Sequence, residues 1–152
     1  MPFFLGGPSA LIRGKGEEGT TVVFKRPYNI LLVKPAFGIS AAWAYKEFDA
    51  CAGSQGLTKK DNNIKLFCHA LDSGDFSFLS DISVNDLESV VFKEYPVLGD
   101  IKQELLHSGA RFSAMSGSGS TVFGVFEDGH SAENAMQRVP DGNWCRVVKT
   151  IV

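Results

Sequence analysis

The chain has 152 residues, of which 44% are hydrophobic and 21% are charged. That length favours one domain whose core needs neither disulfides nor a structural metal, and a formal charge of -2 excludes a broad electrostatic attraction for nucleic acid or an anionic membrane. The 3 cysteines are widely spaced without a CxxC pair, which excludes a recognisable disulfide framework and indicates a reducing, cytoplasmic compartment. No apolar run is long enough to span a bilayer.

The first elements predicted along the chain are strands. Residues 9–13 and 20–24 are short β-prone stretches separated by the glycine-punctuated segment GKGEEG, which predicts two strands with a tight connection. Residues 28–34 are too uniformly apolar for a half-exposed strand and predict a central one. Ser40 is suited to cap a helix, and residues 40–48 predict that helix, which is rich in aromatic side chains.

Helices are predicted in the middle of the chain. Residues 52–63 are rich in Gly, Ser, Lys and Asn and predict a loop, and residues 64–71 predict a short helix. Asn85 and Glu88 have the spacing of a capping box at the start of a further helix, which Pro96 ends.

The last third predicts an amphipathic helix ended by Gly109, strands over 111–115 and 121–126, a helix capped by Ser131 and a final strand over 144–152. From residue 28 onward, this order predicts an α+β, ferredoxin-like domain in which helices cover one face of an antiparallel sheet. The two N-terminal strands do not fit into that unit, and we expect them at the edge of another sheet.

The most distinctive local segment is MSGSGST at residues 115–121. Glycines at positions 117 and 119 let backbone amides face one direction and approach an anion closely, and the serines add hydroxyl donors. The segment indicates a loop that lines a phosphate, and a glycine hairpin with solvated serines is an equally good interpretation. It is neither a Walker A loop, because no Gly-Lys-Ser/Thr follows, nor a dinucleotide fingerprint, because strand residues follow it.

Other candidate residues carry weaker signals. Lys15 lies between two glycines and can project into a cleft as a donor, although a solvated turn lysine is the commoner structure. Tyr45 and Trp43 can stack on a base, although aromatic residues at helical spacing more often lie in the core. The histidines stand apart, with no metal-ligand spacing and no nucleophile beside them, so no metal site and no general base is predicted.

Three segments together resemble the GHMP kinase superfamily, namely PFFLGGPSALIRGKGEE at 2–18, VNDLE at 84–88 and SAMSGSGSTVFGVF at 113–126. The glycine motif is shared across that superfamily, and the opening segment resembles the members that phosphorylate CDP-methylerythritol, a cytidine diphosphate derivative. The resemblance implies the C-terminal portion of such a kinase, with residues 1–26 as a remnant of the N-terminal domain and 27–152 as the C-terminal domain. The family's catalytic aspartate, catalytic lysine and ATP loop would lie before Met1, so we expect no catalytic residue in this chain.

The resemblance also implies roles for individual residues. Lys15 matches a position that contacts the cytosine in some members, and Tyr45 matches the aromatic residue that stacks on the cytosine ring. Many members have a threonine where Ala41 stands, which leaves Ser40 as the nearby hydroxyl for the substrate. The residues that match the motif beside the phosphates are Gly117, Ser118, Gly119 and Ser120.

The implied reaction transfers the γ-phosphoryl group of ATP, with Mg²⁺, to the 2-hydroxyl of CDP-methylerythritol in non-mevalonate isoprenoid biosynthesis. We expect ATP and Mg²⁺ to bind the full-length enzyme, and we expect this chain alone to bind no cofactor or metal and to be inactive. Two alternatives remain open. One is a fragment of another GHMP kinase, such as one for homoserine or mevalonate, and the other is a stand-alone ferredoxin-like regulatory or interaction module.

The N-terminal strands carry apolar side chains that a further kinase domain would cover. Exposed apolar strands promote association between copies, so we expect self-association through this segment. The side chains concerned are Phe3, Phe4, Leu5, Leu11 and Ile12.

Overall fold

The computed structural model of the chain describes residues 9–13, 18–52, 64–76, 79 and 85–151. Its strands are β1 (Ala10–Arg13), β2 (Glu18–Thr21), β3 (Asn29–Lys34), β4 (Phe112–Met115), β5 (Val122–Phe126) and β6 (Trp144–Lys149). Its helices are α1 (Ala41–Ala52), α2 (Ile64–Ser73), α3 (Glu88–Glu94), α4 (Pro96–His107) and α5 (Gly129–Met136). Apart from its first residue, the predicted loop over 52–63 lies outside the described residues. No helix in the described ranges is long and apolar enough to cross a membrane.

The larger sheet has the strand order β4-β5-β3-β6, and each neighbouring pair is antiparallel. β3 is central, as predicted, because Leu31 pairs with Gly124 of β5 on one side and with Val147 of β6 on the other. Leu31 and Val33 are fully buried, which accounts for the uniformly apolar sequence of this strand. The α+β class with an antiparallel sheet is confirmed.

One face of the sheet is covered by α1, α3, α4 and α5. Leu31 and Val33 of β3 and Phe126 of β5 form one core cluster with side chains of these helices. Burying a Leu, Val or Phe side chain contributes about 1.5–3 kcal/mol, so this cluster holds the helices on the sheet. Its buried helical members are Ala44, Val90, Val91, Leu98, Ile101, Leu105, Ala132 and Ala135.

The second face of the sheet is also apolar, and α2 packs on it. Phe112 and Val125 of the sheet form a second core cluster with Ala70 of α2. The hydroxyl of Tyr28 donates a hydrogen bond to the Leu71 carbonyl, and burial raises the pKa of Tyr28, so the phenol stays protonated at neutral pH. A helix on this face departs from the predicted single helical layer, because alternate residues of β4 and β5 are apolar on both faces.

The N-terminal strands form a separate antiparallel pair, as predicted, with Ala10 opposite Thr21, but the second strand covers Glu18–Thr21 rather than 20–24. The chain after this pair is held at the end of α2, where the Arg26 guanidinium donates to the Ser73 carbonyl at 3.0 Å. The division of the chain at residue 26 stays a prediction.

The side chains expected to mediate self-association are only partly described. The Ile12 side chain is 38% exposed. The others fall outside the described side chains, namely Phe3, Phe4, Leu5 and Leu11. Self-association through the N-terminal strands therefore stays a prediction.

The end of α4 shows how one glycine sets a connection. Gly109 has a φ of 97°, and its N–H donates to the Leu106 carbonyl at 3.0 Å. The Ala110 N–H donates to the Leu105 carbonyl at 2.9 Å, and the two bonds together form a Schellman motif. The predicted left-handed C′ glycine is confirmed.

The start of α5 differs from the sequence prediction. Asp128, rather than Ser131, caps the helix, because its carboxylate accepts hydrogen bonds from the Ser131 N–H and hydroxyl, each at 2.8 Å. The hydrogen bond from the Ser131 N–H makes the largest contribution to holding the pKa of Asp128 below its usual range, and the bond from the Ser131 hydroxyl adds to it. The ionised cap therefore stabilises the fold at neutral pH, and this contribution is lost as the pH falls through the lowered pKa.

Candidate functional site

β4 and β5 are joined by residues 116–121, which we call the glycine turn. The Ser116 N–H donates to the Thr121 carbonyl at 2.8 Å, and the Gly119 N–H donates to the Ser116 carbonyl at 3.0 Å. Gly117 and Gly119 have positive φ values of 57° and 88°. A Cβ at position 119 would lie 2.9 Å from the Met115 Sδ, so both the backbone conformation and the space favour glycine there.

The glycine turn presents unpaired backbone donors. Within the described part of the chain, the N–H groups of Gly117 and Ser118 make no hydrogen bond, and neither does the Ser118 hydroxyl. Gly117 is exposed, and Ser118 is partly exposed. Successive free amides in a tight turn form a concavity that can bind an anion. The turn can therefore accept a phosphate oxygen, and this geometry also fits a solvated hairpin.

The Ser120 side chain is buried and hydrogen-bonded within the protein. Its side chain is 2% exposed, and its hydroxyl donates to the Phe37 carbonyl at 2.6 Å. A Cβ at position 119 would also lie 3.2 Å from the Ile39 Cδ1. The glycine turn is thus held against the connection between β3 and α1, and among the matched serines Ser118 keeps a hydroxyl for a ligand.

Ser40 follows this contact directly in the sequence and caps α1. Its Oγ accepts a hydrogen bond from the Trp43 N–H at 3.3 Å, which confirms the predicted N-cap. An accepting hydroxyl keeps its own hydrogen to donate. Ser40 is exposed, so this hydrogen can reach a ligand beside the glycine turn.

The two aromatic candidates on α1 have different environments. Trp43 packs edge-on against Tyr95, with ring centroids 5.6 Å apart, and lies against the main core. Tyr45 is 58% exposed. It lies four residues after the exposed Ala41, so the two share one face of the helix and are separated by about 6 Å along its axis. Tyr45 is therefore the aromatic side chain that can stack on a ligand.

Lys15 lies outside the described residues, so its expected contact with a cytosine stays a prediction. In the ranges that the structure describes, no group of at least 3 His, Cys, Asp or Glu side chains could hold a metal ion.

Asn85 is a site residue whose role the sequence did not reveal. Its side-chain Nδ2 donates to the Met115 carbonyl at 2.9 Å and to the Gly117 carbonyl at 2.8 Å. Its Oδ1 accepts a hydrogen bond from the Leu87 N–H at 3.2 Å. The predicted capping box with Glu88 does not form, because the Asn85 Oδ1 accepts from Leu87 and the Glu88 N–H donates to the Asn85 backbone carbonyl at 2.9 Å.

Glu88 also contacts the base of the glycine turn. Its Oε1 accepts a hydrogen bond from the Met115 N–H at 2.7 Å, and its Oε2 pairs with the Lys102 Nζ at 2.6 Å. The VNDLE segment was a sequence signal for both residues, but local spacing pointed to helix capping. Their contacts lie 27 to 32 residues along the chain and depend on the tertiary fold.

The model of a protein family described as "GHMP kinases C terminal" matches residues 60–143, which is more than half of the chain. The chain belongs to the GHMP kinase family. A 4-diphosphocytidyl-2-C-methyl-D-erythritol kinase of Thermodesulfovibrio yellowstonii is 40% identical over 153 residues, covering 100% of this chain and 53% of the relative. The kinase of that name from Acetivibrio thermocellus is 37% identical, covering 99% of this chain and 52% of the relative. This GHMP kinase chain thus spans about half the length of the curated relatives that it matches.

Solved GHMP kinases share the fold. A crystal structure of 4-(cytidine 5'-diphospho)-2C-methyl-D-erythritol kinase superposes with a TM-score of 0.73 at 22% identity, covering 99% of this chain and 53% of that one. The L. major mevalonate kinase in complex with R-mevalonate superposes with a TM-score of 0.70 at 14% identity, covering 93% of this chain and 48% of that one. At these identities, the likeness concerns the fold alone.

Proposed function

We propose that the chain is the C-terminal part of an ATP-dependent kinase that phosphorylates the 2-hydroxyl of CDP-methylerythritol in non-mevalonate isoprenoid biosynthesis. The observation that carries this proposal is the 40% identity, over 100% of the chain, to a relative named for that substrate.

In this proposal, the exposed side of α1 and the glycine turn form one wall of the substrate cleft. Tyr45 stacks on the cytosine, and the Ser40 hydroxyl donates to a polar atom of the substrate. The N–H groups of Gly117 and Ser118 donate to phosphate oxygens. Phosphoryl transfer depends on positioning and on charge stabilisation, and backbone donors of this kind supply both without a covalent step.

ATP and Mg²⁺ are the cofactors that the proposed reaction requires. The free amides of the glycine turn fit a phosphate oxygen, whereas the described side chains offer no grouping for a magnesium ion. ATP supplies the transferred phosphoryl group, and we assign no step to the metal on this chain. We also propose that these 152 residues do not transfer phosphate by themselves, since they span about half of the kinases that they resemble.

Replacing Tyr45 tests the cytidine-binding role. We expect Tyr45→Ala to weaken the binding of cytidine 5'-diphosphate to the chain by about 5- to 150-fold, because base–aromatic stacking contributes about 1–3 kcal/mol. Tyr45→Phe keeps the ring and is expected to bind as the unchanged chain does. Isothermal titration calorimetry measures both dissociation constants.

Trp144→Ala provides the matched control, because Trp144 is an aromatic residue on β6 with 52% exposure. It is expected to leave the dissociation constant unchanged. Equal affinity of Tyr45→Ala and the unchanged chain would contradict the role of Tyr45 in the proposed function.

A further inference from the structure

The side-chain amide of Asn85 makes hydrogen bonds through both its nitrogen and its oxygen. Its two N–H hydrogens reach the carbonyls of Met115 and Gly117 at 2.9 and 2.8 Å, and its oxygen accepts from Leu87 at 3.2 Å. This pattern assigns the nitrogen and oxygen of the amide, because exchanging them would direct an oxygen at two carbonyl oxygens. Asn85 thus joins the start of α3 rigidly to the glycine turn.

These contacts determine where the free amides of the turn point. The Ser116–Gly117 and Gly117–Ser118 peptide units are trans, so in each of them the N–H and the C=O point in opposite directions. The Gly117 carbonyl shares a peptide plane with the Ser118 N–H, and that carbonyl is held by Asn85. The Ser116 carbonyl shares a plane with the Gly117 N–H, and it is held by the Gly119 N–H at 3.0 Å. The Ser118 N–H is therefore directed away from Asn85, and the Gly117 N–H is directed away from the Gly119 amide.

We propose that Asn85 is a positioning residue, which sets the direction of the Ser118 N–H and thereby the affinity of the glycine turn for phosphate oxygens. This inference rests on the proposed function, because it takes the turn to face a phosphate. Asn85 acts on the turn through the hydrogen bonds that it donates to the Met115 and Gly117 carbonyls.

The site requires the chemistry of asparagine. It needs 2 donors and 1 acceptor at the end of a short side chain, which the amide supplies. An ionised carboxylate of the same length accepts only, so in Asn85→Asp it would face two carbonyl oxygens. Its protonated form regains a single O–H donor. The ionised and protonated forms of Asn85→Asp therefore differ in whether the side chain can donate a hydrogen bond to a carbonyl of the turn.

The test uses the 152-residue chain, labelled with ¹⁵N, and inorganic pyrophosphate without metal as the probe. In the unchanged chain, pyrophosphate is expected to shift the amide resonances of Gly117 and Ser118. Asn85→Ala is expected to weaken this binding by about tenfold, because the Ser118 N–H loses its fixed direction and with it about the value of one hydrogen bond to the probe. Asn134→Ala removes an exposed amide on α5 and is expected to change nothing.

Two readouts separate positioning from general stability. Hydrogen exchange of the Gly119 amide is expected to accelerate more in Asn85→Ala than exchange of the Leu31 amide in central β3, which follows global unfolding. In Asn85→Asp, the ratio of its pyrophosphate dissociation constant to that of the unchanged chain is expected to fall as the pH is lowered, because the two carbonyl oxygens that face the new carboxyl favour its protonated form. Taking the ratio at each pH cancels the titration of pyrophosphate, and the charged neighbours Asp86 and Glu88 are present in both chains.

Equal pyrophosphate affinity of Asn85→Ala and the unchanged chain would overturn the inference. Absence of any pyrophosphate response in the unchanged chain would instead contradict the phosphate-binding role in the proposed function. In that case, the Gly119 exchange rate decides the inference: acceleration in Asn85→Ala supports the hold of Asn85 on the turn, and an unchanged rate overturns it.

Discussion

Replacing Gly119 with alanine is expected to lower the free energy of unfolding by about 3 kcal/mol. The left-handed backbone at φ 88° costs a residue with a Cβ about 1–2 kcal/mol. The new Cβ would also lie 2.9 Å from the Met115 Sδ and 3.2 Å from the Ile39 Cδ1, and overpacking of this kind costs about 1–3 kcal/mol. Urea denaturation followed by circular dichroism measures the change.

Two other glycines separate the cost of the left-handed backbone from the cost of the close contacts. Gly109 has a φ of 97° with no atom within 4 Å of an added Cβ, so Gly109→Ala should show the backbone cost alone, about 1–2 kcal/mol. Gly99 lies inside α4, and its added Cβ would meet Phe92 at an ordinary 3.7 Å, so Gly99→Ala should stabilise the chain by about 0.5–1 kcal/mol. A Gly119→Ala variant no less stable than Gly109→Ala would contradict the close contact between the turn and the β3–α1 connection.

Replacing Glu88 with alanine is expected to lower the free energy of unfolding by about 2–4 kcal/mol. The substitution leaves the Met115 N–H without its acceptor and the Lys102 ammonium without its partner. The two ionic side chains are only 14% and 25% exposed, so water compensates for the loss only in part. Glu88→Gln keeps an oxygen for the Met115 N–H, so its free energy of unfolding is expected to fall by about half as much. Chemical denaturation measures both values.

The ion pair between Arg111 and Glu127 provides the control. Its shortest N–O distance is 3.7 Å, and its side chains are 58% and 78% exposed. An exposed pair of this kind contributes about 0–1 kcal/mol, so Glu127→Gln should change stability little. A loss in Glu88→Ala as small as that in Glu127→Gln would show that the Glu88 contacts do not hold the base of the turn.

Elements that depend on local chemistry could be predicted from the sequence. The apolar run at β3 indicated a central strand, and it lies between β5 and β6. Ser40 and Gly109 were identified as helix-terminal residues because their side-chain or backbone chemistry acts within a few positions. The glycine turn was recognised for the same reason, since its hydrogen bonds close within residues 116–121.

Features that depend on distant contacts could not be predicted. Asn85 and Glu88 have capping-box spacing, but their partner is the turn some 30 residues away, and a strong tertiary contact displaces a weak local one. The placement of α2 on the second face follows from apolar residues on both sides of β4 and β5, which periodicity within one strand does not show. At α5, Asp128 and Ser131 both suit a cap, and the structure uses the carboxylate.

The central claim is that the exposed face of α1 and the glycine turn act as one wall that holds a nucleoside diphosphate. Titration of the ¹⁵N-labelled chain with cytidine 5'-diphosphate tests it most directly. The account predicts that the amides around Tyr45 and those of Gly117 and Ser118 shift together and yield one dissociation constant. Shifts confined to one of the two segments, or to neither, would contradict it.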